Sequence, residues 1–429
     1  MAGNTTLRDR ITGLIDKLGS YVHLDLRYYI RNLSYITAGQ LVGAGFSVLL
    51  SIAFARLLTK DLYGQWNYIL AIMGILAIFS LPGMNTAIVQ AVARGRDRVL
   101  TEGTKEKFKW SILGSIALLG VGTYYFMTGS TLVGKCLMIS SLFFPFFENL
   151  QAFYAFLGGK KQFGKSAKYG VIIQIISISA TILIIYFTRN LIVILITYLV
   201  SFSLMRGYFF RLVSKTMSSE SNDKEALTFG KKMTLANIPG VISHHRGKII
   251  AGLMLSFSDV AIFTIAQGFQ RIIRNLLAPI VGLSFPKLAE MEEKEAYSAV
   301  RKRYLYLVLL TAVVAGISIA LCPYIIPLFY SQRYQASVLY AQIMLALLVL
   351  GIPMSMLIKG LFPSQRKVKE IVKFETTRVI TSTVLIIGFT LKFGLLGLVL
   401  AGAVNGIFMT IYSWWLVGWI GPKSSSSPR

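Results

Sequence analysis

Four ionisable side chains fall within five residues of an otherwise apolar stretch, VISHHRGKIIAGLML at residues 241–255. They are His244, His245, Arg246 and Lys248. Ionisable groups at the depth of a bilayer are costly and usually face protein or a water-filled cavity. Arginine and lysine can bind an anion there, and histidine can carry a proton because it titrates near neutral pH. The alternative is that these groups only satisfy hydrogen bonds between helices.

The spacing of the four groups assigns them to more than one helix face. His244 and Lys248 are four residues apart and share a face, whereas His245 points about 100° away. We therefore place His244 with the candidates for anion binding and His245 with the candidates for carrying a coupling ion, although either histidine can carry a proton.

A second polar stripe follows about twenty residues later. Gln267, Arg271 and Arg274, together with Thr264, recur at steps of three and four residues and so lie along one helix face. A face with two arginines cannot contact lipid, so it either pairs with carboxylates or lines a polar cavity.

Carboxylates are scarce in the apolar segments, where we find Glu148 and, at an edge, Glu375. Two acids cannot neutralise all the buried cations, so we predict a hydrated cationic cavity and an anionic substrate. The planar fork of arginine suits pyrophosphate, which it can grip with two hydrogen bonds. The predicted substrate-binding residues are Arg246, Lys248, Arg271, Arg274, Gln267 and His244.

Glu148 lies in the stretch PFFENLQAF. A lone buried carboxylate can titrate and so couple the flow of an ion to transport, but it can equally form a static salt bridge with a buried cation. The candidates for ion coupling are Glu148 and His245, and the coupling ion can be H⁺ or Na⁺. We expect no metal site and no resident cofactor, and the sequence contains no HExxH or GxSxG pattern of an enzyme.

Four further basic residues lie within one or two helical turns of a predicted span end. Long basic side chains at such places reach the lipid headgroups while their stems stay in the apolar region. We predict this behaviour for Arg56, Arg206, Lys359 and Arg378.

The elements that carry these residues are predicted to be membrane-spanning helices. Of 429 residues, 55% are hydrophobic and 14% are charged, and the mean hydropathy is +0.63. A soluble domain has about 25% charged residues, and one span needs about 20 apolar residues. We predict an all-α polytopic membrane protein with about 12 spans. They cover residues 33–56, 66–92, 110–128, 132–157, 169–187, 191–210, 232–255, 258–284, 305–329, 336–362, 374–391 and 395–419.

The loops between these spans differ sharply in charge. Alternate loops carry about 31 lysines and arginines on one side of the membrane and about 5 on the other. Because basic loops stay in the cytoplasm, we expect both termini to be cytoplasmic in a multi-pass protein of the inner membrane. The same asymmetry explains most of the net charge of +26. A nucleic-acid partner is not indicated, since such binders are polar overall.

The chain also carries a weak internal repeat. Ala53 and Asp61 have counterparts at Ala251 and Asp259, and the offset of 198 residues suggests two similar halves in the same orientation. We predict two pseudo-symmetric six-helix bundles around a central cavity. The predicted domains are a cytoplasmic segment 1–32, an N-terminal bundle 33–210, a linker 211–231, a C-terminal bundle 232–420 and a cytoplasmic tail 421–429.

Several segments, in order along nearly the whole chain, resemble one family. They are FARLLTKDLYGQWNYI, FYAFLGGKKQFGKSAKYGVIIQI, FGKKMTLANIPGVISHHRGKIIAGLMLSFSDVAIFTIAQGFQRI, PYIIPLFYSQRYQASVLYAQIMLAL and FGLLGLVLAGAVNGIF. They resemble the Wzx-type lipid-linked oligosaccharide flippases of the multidrug/oligosaccharidyl-lipid/polysaccharide (MATE-like) superfamily. One departure is His245-Arg246, which stands where family members commonly have an Asp-Arg-like pair.

The resemblance implies a flippase that works by alternating access. Its substrate would be an oligosaccharide on a polyprenyl-(pyro)phosphate, or on a dolichol phosphate in an archaeon, moved from the cytoplasmic to the outer leaflet. Polysaccharide polymerases or ligases would be its protein partners. Two alternatives stay open: a cation-coupled multidrug exporter of the related branch, which would need acidic cavity residues, and a membrane enzyme, which would need longer outer loops.

Overall fold

The chain is built from helices, as predicted. The computed structural model describes residues 26–217, 223–289, 291, 293–364 and 368–420, and no strand occurs in these ranges. The α-helices in them are α1 Leu26–Leu57, α2 Lys60–Leu76, α3 Met84–Ala93, α4 Val99–Met127, α5 Thr131–Asn149, α6 Phe153–Gly159, α7 Phe163–Phe187, α8 Leu191–Ser214, α9 Lys224–Met254, α10 Phe257–Ala289, α11 Glu293–Tyr330, α12 Ala336–Ser364 and α13 Val368–Ile420.

Two predicted spans are interrupted. In the span 66–92, helix α2 gives way to a 3₁₀ turn at Ala77–Ser80, and Leu81 has a φ of 50° before α3 begins. The following Pro82 has no N–H group to continue the helix. In the span 132–157, a 3₁₀ turn at Leu150–Ala152 separates α5 from α6.

The predicted break between the last two spans is confirmed. Helix α13 covers both of them, and Gly394 inside it has φ 58° and ψ −136°. Glycine adopts this conformation without the steric cost that a Cβ would add. The break therefore falls within the short segment 392–394 that the sequence predicted to join two spans.

Eight helices in the described residues are long and apolar enough to cross a membrane, and the longest, Glu370–Trp415, covers two predicted spans. Ala336–Val349 is a shorter apolar helix. Helix α9 is not among the eight, because its histidines, arginine and lysines lower its hydropathy. Together the helices fit the prediction of about 12 spans.

The counterparts of the internal repeat begin helices in similar ways. Asp61 lies in the first turn of α2 and Asp259 in the first turn of α10, where an acid is favoured by the helix dipole. Thr59 caps α2 by accepting a hydrogen bond from Leu62 N at 3.3 Å. At α10 the cap is reciprocal: Asp259 N donates to Ser256 Oγ at 3.1 Å, and Ser256 N donates to Asp259 Oδ2 at 3.2 Å.

Two compact units make up the chain. The first comprises Met1–Ser51, Phe79–Ala117 and Ile139–Leu235, and the second comprises Ile52–Ile78, Leu118–Met138 and Ala236–Arg429. In the first, Met84 and Ile88 of α3 are fully buried with Phe153 and Phe156 of α6.

In the second unit, α10 packs against α2 and α12, and α12 also packs against α11 and α13. The starts of α2 and α10 approach closely there, because a Cβ on Gly64 would overlap the carbonyl of Phe257. Ser258 Oγ also donates a hydrogen bond to Asp61 Oδ1 at 2.9 Å.

The division into bundles 33–210 and 232–420 with a linker 211–231 stays a prediction. The predicted tail 421–429 and residues 1–25 of the predicted N-terminal segment lie outside the described residues.

Candidate functional site

The predicted substrate-binding residues all lie on two helices of the second unit. Helix α9 carries His244, Arg246 and Lys248, and helix α10 carries Gln267, Arg271 and Arg274. Two other helices of the same unit contribute side chains that we did not predict for the site. They are Asn67 on α2 and Arg378 on α13.

Lys248 is held by a neutral partner. Its Nζ donates a hydrogen bond to Asn67 Oδ1 at 3.2 Å, and Asn67 Nδ2 in turn donates to Tyr63 O at 2.9 Å. The second bond orients the buried amide so that its oxygen faces the lysine. This contact fixes the position of the ammonium group without neutralising its charge.

The two histidines pack against each other and against α2. The rings of His244 and His245 meet edge to face, with 4.8 Å between their centroids. His244 is exposed and His245 is half-buried. A Cβ on Gly74 would overlap the His245 ring, so glycine is required at this contact. His245 is therefore positioned by packing, while His244 faces accessible space.

Arg246 and Arg378 differ in how their charges are compensated. Arg378 Nη2 donates to Glu375, three residues earlier on α13, in an ion pair. Arg246 lies close enough for its charge to interact with that of Arg378, and its Nη1 is buried without a hydrogen-bond partner. An unsatisfied buried donor costs about 1–3 kcal/mol, and more if it is charged. An anion placed there would supply the missing acceptor.

The same cations interact with those of α10. The charge of Arg274 interacts with that of Arg378, and the charge of Lys248 with that of Arg271. We call Arg246, Lys248, Arg271, Arg274 and Arg378 the cationic cluster. Among the described side chains, Glu375 is the carboxylate that forms an ion pair with it.

Arg271 and Arg274 are both exposed on α10. Ile272 is also exposed, but it lies about 100° around the helix from Arg271 and about 160° from Arg274. Ile265 and Ile273 are buried. The exposed arc of α10 therefore carries both arginines, with Asn275 and then Ile272 at one border.

Glu148, a candidate for ion coupling, lies in the first unit, whereas His245 lies in the second. Glu148 Oε2 accepts a hydrogen bond from Gln151 Nε2 at 3.2 Å. Its charge interacts with those of Arg206 on α8 and Lys107 on α4. None of the ion pairs seen among the described residues includes Glu148, so the predicted alternative of a direct static salt bridge is not observed there.

The two cations near Glu148 each have other partners. Lys107 is 1% exposed, and its Nζ donates to Asn85 Oδ1 at 3.0 Å. The guanidinium of Arg206 lies 4.5 Å from the ring centroid of Phe147 and 5.1 Å from that of Phe202. It also donates to Phe147 O at 2.5 Å, just before the 3₁₀ turn that ends α5.

The prediction that basic residues at span ends reach the headgroups is wrong for two of the four, Arg206 and Arg378. Arg206 points into the first unit, and Arg378 joins the cationic cluster. Arg56 donates to the carbonyls of Leu328 and Phe329 near the end of α11. Because Arg56 is also exposed, its contact with the headgroups stays a prediction. The side chain of Lys359 lies outside the described residues.

With this geometry established, the chain can be compared with known proteins. A model of a family described as polysaccharide biosynthesis protein matches residues 29–292. The chain belongs to this family. The predicted resemblance is thereby confirmed at the level of the family. No curated protein matches the chain.

Solved structures confirm the fold of this polysaccharide biosynthesis protein. An inward closed conformation of the lipid II flippase MurJ shares 17% identity, with a TM-score of 0.68, over 89% of this chain and 87% of that one. An inward-facing multidrug resistance MATE transporter of the MOP superfamily shares 14%, with a TM-score of 0.60, over 89% and 96%. A MOP superfamily transporter from Pyrococcus furiosus, whose binding pocket has reverse polarity, shares 14%, with a TM-score of 0.55, over 92% and 96%.

From its family and its fold, the chain is a multi-pass membrane protein with the fold that transporters and flippases share. The prediction that it is not an enzyme is confirmed by its family, described as polysaccharide biosynthesis protein, together with its fold, which a flippase and transporters share. Among the described residues, no group of three histidine, cysteine or acidic side chains is placed to hold a metal ion.

Proposed function

We propose that this protein is a flippase that moves an oligosaccharide on a polyprenyl-(pyro)phosphate from the cytoplasmic to the outer leaflet by alternating access. The observation that carries the proposal is the cationic cluster, in which five cations share one described carboxylate, Glu375. Membership of a polysaccharide biosynthesis family and the fold shared with a lipid II flippase support it.

The arrangement suits a phosphate-bearing substrate. Arg271 and Arg274 offer planar forks in accessible space, and each fork can hold phosphate oxygens with two hydrogen bonds. The unpartnered Nη1 of Arg246 needs an acceptor. Gln267, half-buried on the same face of α10, and the exposed His244 would bind the substrate beside these cations. The polyprenyl tail would stay in lipid while the head group crosses.

A multidrug exporter is the alternative, and the charge of the site opposes it. Cationic drugs would be repelled by five like charges, whereas they need acidic residues for binding. For the Pyrococcus furiosus transporter, reverse polarity of the binding pocket suggests a different function. We infer that the cationic site of this protein favours an anionic substrate.

The remaining parts of the transport cycle follow from the sequence predictions. We propose cytoplasmic termini, a location in the inner membrane and two bundles, 33–210 and 232–420, that rock about the substrate. Glu148 and His245 are our candidates for carrying the coupling ion, H⁺ or Na⁺. A polysaccharide polymerase or ligase would use the flipped product.

The test removes the two exposed arginines of the cluster. The double variant R271A/R274A loses two charged hydrogen-bond donors, each worth about 1.5–3 kcal/mol to an anion, so we expect transport to fall at least about 100-fold. Surface polysaccharide in a strain without its own flippase, and flipping of a lipid-linked sugar in proteoliposomes, would measure this. The amount of protein in the membrane should not change.

Two matched variants sharpen the test. R189A/R211A removes two exposed arginines outside the cluster and should transport normally. R271K/R274K keeps the charge but loses the fork and should retain partial activity. Full transport by R271A/R274A, or equal loss in R189A/R211A, would contradict the proposal.

A further inference from the structure

A groove between α1 and α7 lies outside the candidate site. It belongs to the first unit, includes the beginning of α7 in its lining, and has a volume of about 570 Å³. Its walls are largely apolar, and the charged side chains on them are two lysines of α7. The groove is lined by Ala38, Gly39 and Val42 of α1, and by Gly164, Lys165, Ala167, Lys168 and Val171 of α7.

Small residues create this groove. A Cβ on Gly39 would lie 3.1 Å from Cβ of Ala167, so the two helices meet where neither has a long side chain. On α7, Gly164, Lys168 and Val171 recur at steps of four and three residues and share one face. The result is a narrow apolar channel with lysines at one end.

The two lysines have no acidic partner among the described residues. Lys168 is exposed, and the Nζ of Lys165 lies 5.8 Å from the ring centroid of Tyr169. Two other lysines of the first unit do have acidic partners: Lys160 pairs with Asp97 at 2.8 Å, and Lys109 with Glu106 at 3.0 Å. The groove therefore keeps two positive charges beside an apolar channel.

We propose that this groove binds an anionic phospholipid of the leaflet on the side of Lys165 and Lys168. Its phosphodiester would lie between the two ammonium groups, and one acyl chain would run along Ala38, Val42 and Val171. Basic pockets between membrane helices bind anionic lipid head groups in this way. A lipid-linked oligosaccharide fits less well, because the lining offers its sugars no hydrogen-bonding side chain apart from the lysines.

The experiment compares phosphatidylglycerol with phosphatidylcholine. The purified full chain is titrated with each lipid in detergent micelles, and bound lipid is counted by native mass spectrometry. We expect phosphatidylglycerol to bind about 30-fold more tightly, which corresponds to about 1 kcal/mol for each lysine. The variant K165Q/K168Q should lose this preference.

Two controls separate the groove from general surface charge. R211Q/K215Q removes two exposed cations at the end of α8 that do not line the groove, and it should keep the preference. A38F fills the groove without changing any charge and should abolish tight binding. Equal loss in R211Q/K215Q, an unchanged preference in K165Q/K168Q, or displacement of phosphatidylglycerol by inorganic pyrophosphate alone would overturn the lipid site.

Discussion

Replacing Arg246 by methionine should stabilise the protein and abolish transport. The Nη1 of this arginine is buried without a hydrogen-bond partner, and its charge interacts with the like charge of Arg378. Methionine has a similar length, no donor and no charge. A residue that is unfavourable for folding but required for activity is expected where a site is prepared for a ligand that is absent.

The size of the effect follows from the unsatisfied donor. Removing it should recover about 1–3 kcal/mol, and the relief of repulsion from Arg378 acts in the same direction. We therefore expect the free energy of unfolding of R246M, without substrate, to exceed that of the wild type by about 1–3 kcal/mol.

Arg378 provides a control in which an ion pair is lost as well. Its ion pair with Glu375 involves side chains that are 27% and 24% exposed. Breaking a fully buried pair costs about 3–5 kcal/mol, so this partly exposed pair should cost less, about 1–3 kcal/mol. R378M also removes a buried Nε without a hydrogen-bond partner and the repulsion from Arg246 and Arg274, so the loss of the ion pair should leave R378M less stable than R246M.

Reversible unfolding in mixed detergent micelles, followed by circular dichroism at constant pH and salt, would measure both variants. Transport by each variant would be assayed in proteoliposomes. If R246M unfolds at lower denaturant than the wild type, Arg246 has a structural partner and our reading of its orphan donor is incorrect. If R246M is stabilised but transports normally, Arg246 is not part of the substrate site.

Two further predictions concern the partners of single charges. N67D would place a carboxylate beside Lys248, so we expect pyrophosphate to bind at least about tenfold more weakly in calorimetry. Unchanged binding would show that Lys248 does not contact the anion. Asp223 caps α9 by accepting a hydrogen bond from Ala226 N at 3.0 Å, and it also pairs with Arg96. The hydrogen bond from Ala226 N, and to a smaller extent Arg96, hold the pKa of this carboxyl below its usual value. D223N should therefore have a free energy of unfolding about 0.2–1 kcal/mol below that of the wild type at pH 7. This difference should disappear as the pH falls below about 4, through the pKa of Asp223 in the folded protein. A difference that persists at low pH would contradict this.

The helices and the charged residues could be predicted because both are local features of the sequence. Apolar runs of span length mark most of the helices, and Gly394 marks the break in α13. Arginines in apolar runs are recognisable on α9 and α10 without knowledge of the fold. The interruption at Pro82 was also visible in the sequence, but a proline alone does not tell a kinked span from a broken one.

The partners of those charges could not be predicted, because they come from distant parts of the chain. Asn67 reaches Lys248 from a helix 181 residues away, and Phe147 and Arg206 meet across 59 residues. The pair Glu375 and Arg378 is different. Its spacing of three residues on one helix is typical of an ion pair and could have been recognised in the sequence. That would have placed Arg378 in the site rather than at the membrane surface.

Helix α9 combines a low hydropathy with charged residues of the proposed site. Its hydropathy is too low for it to count as a candidate span, and the residues that lower it are those that form much of the cationic cluster. Isolated in lipid, such a helix would be costly. The cost is lower in this protein, because Asn67 binds Lys248 and Gly74 leaves room for His245. Accessible space beside the other charged side chains lowers it further. The low hydropathy of α9 is therefore better explained as a requirement of a charged binding site than as evidence against a membrane span.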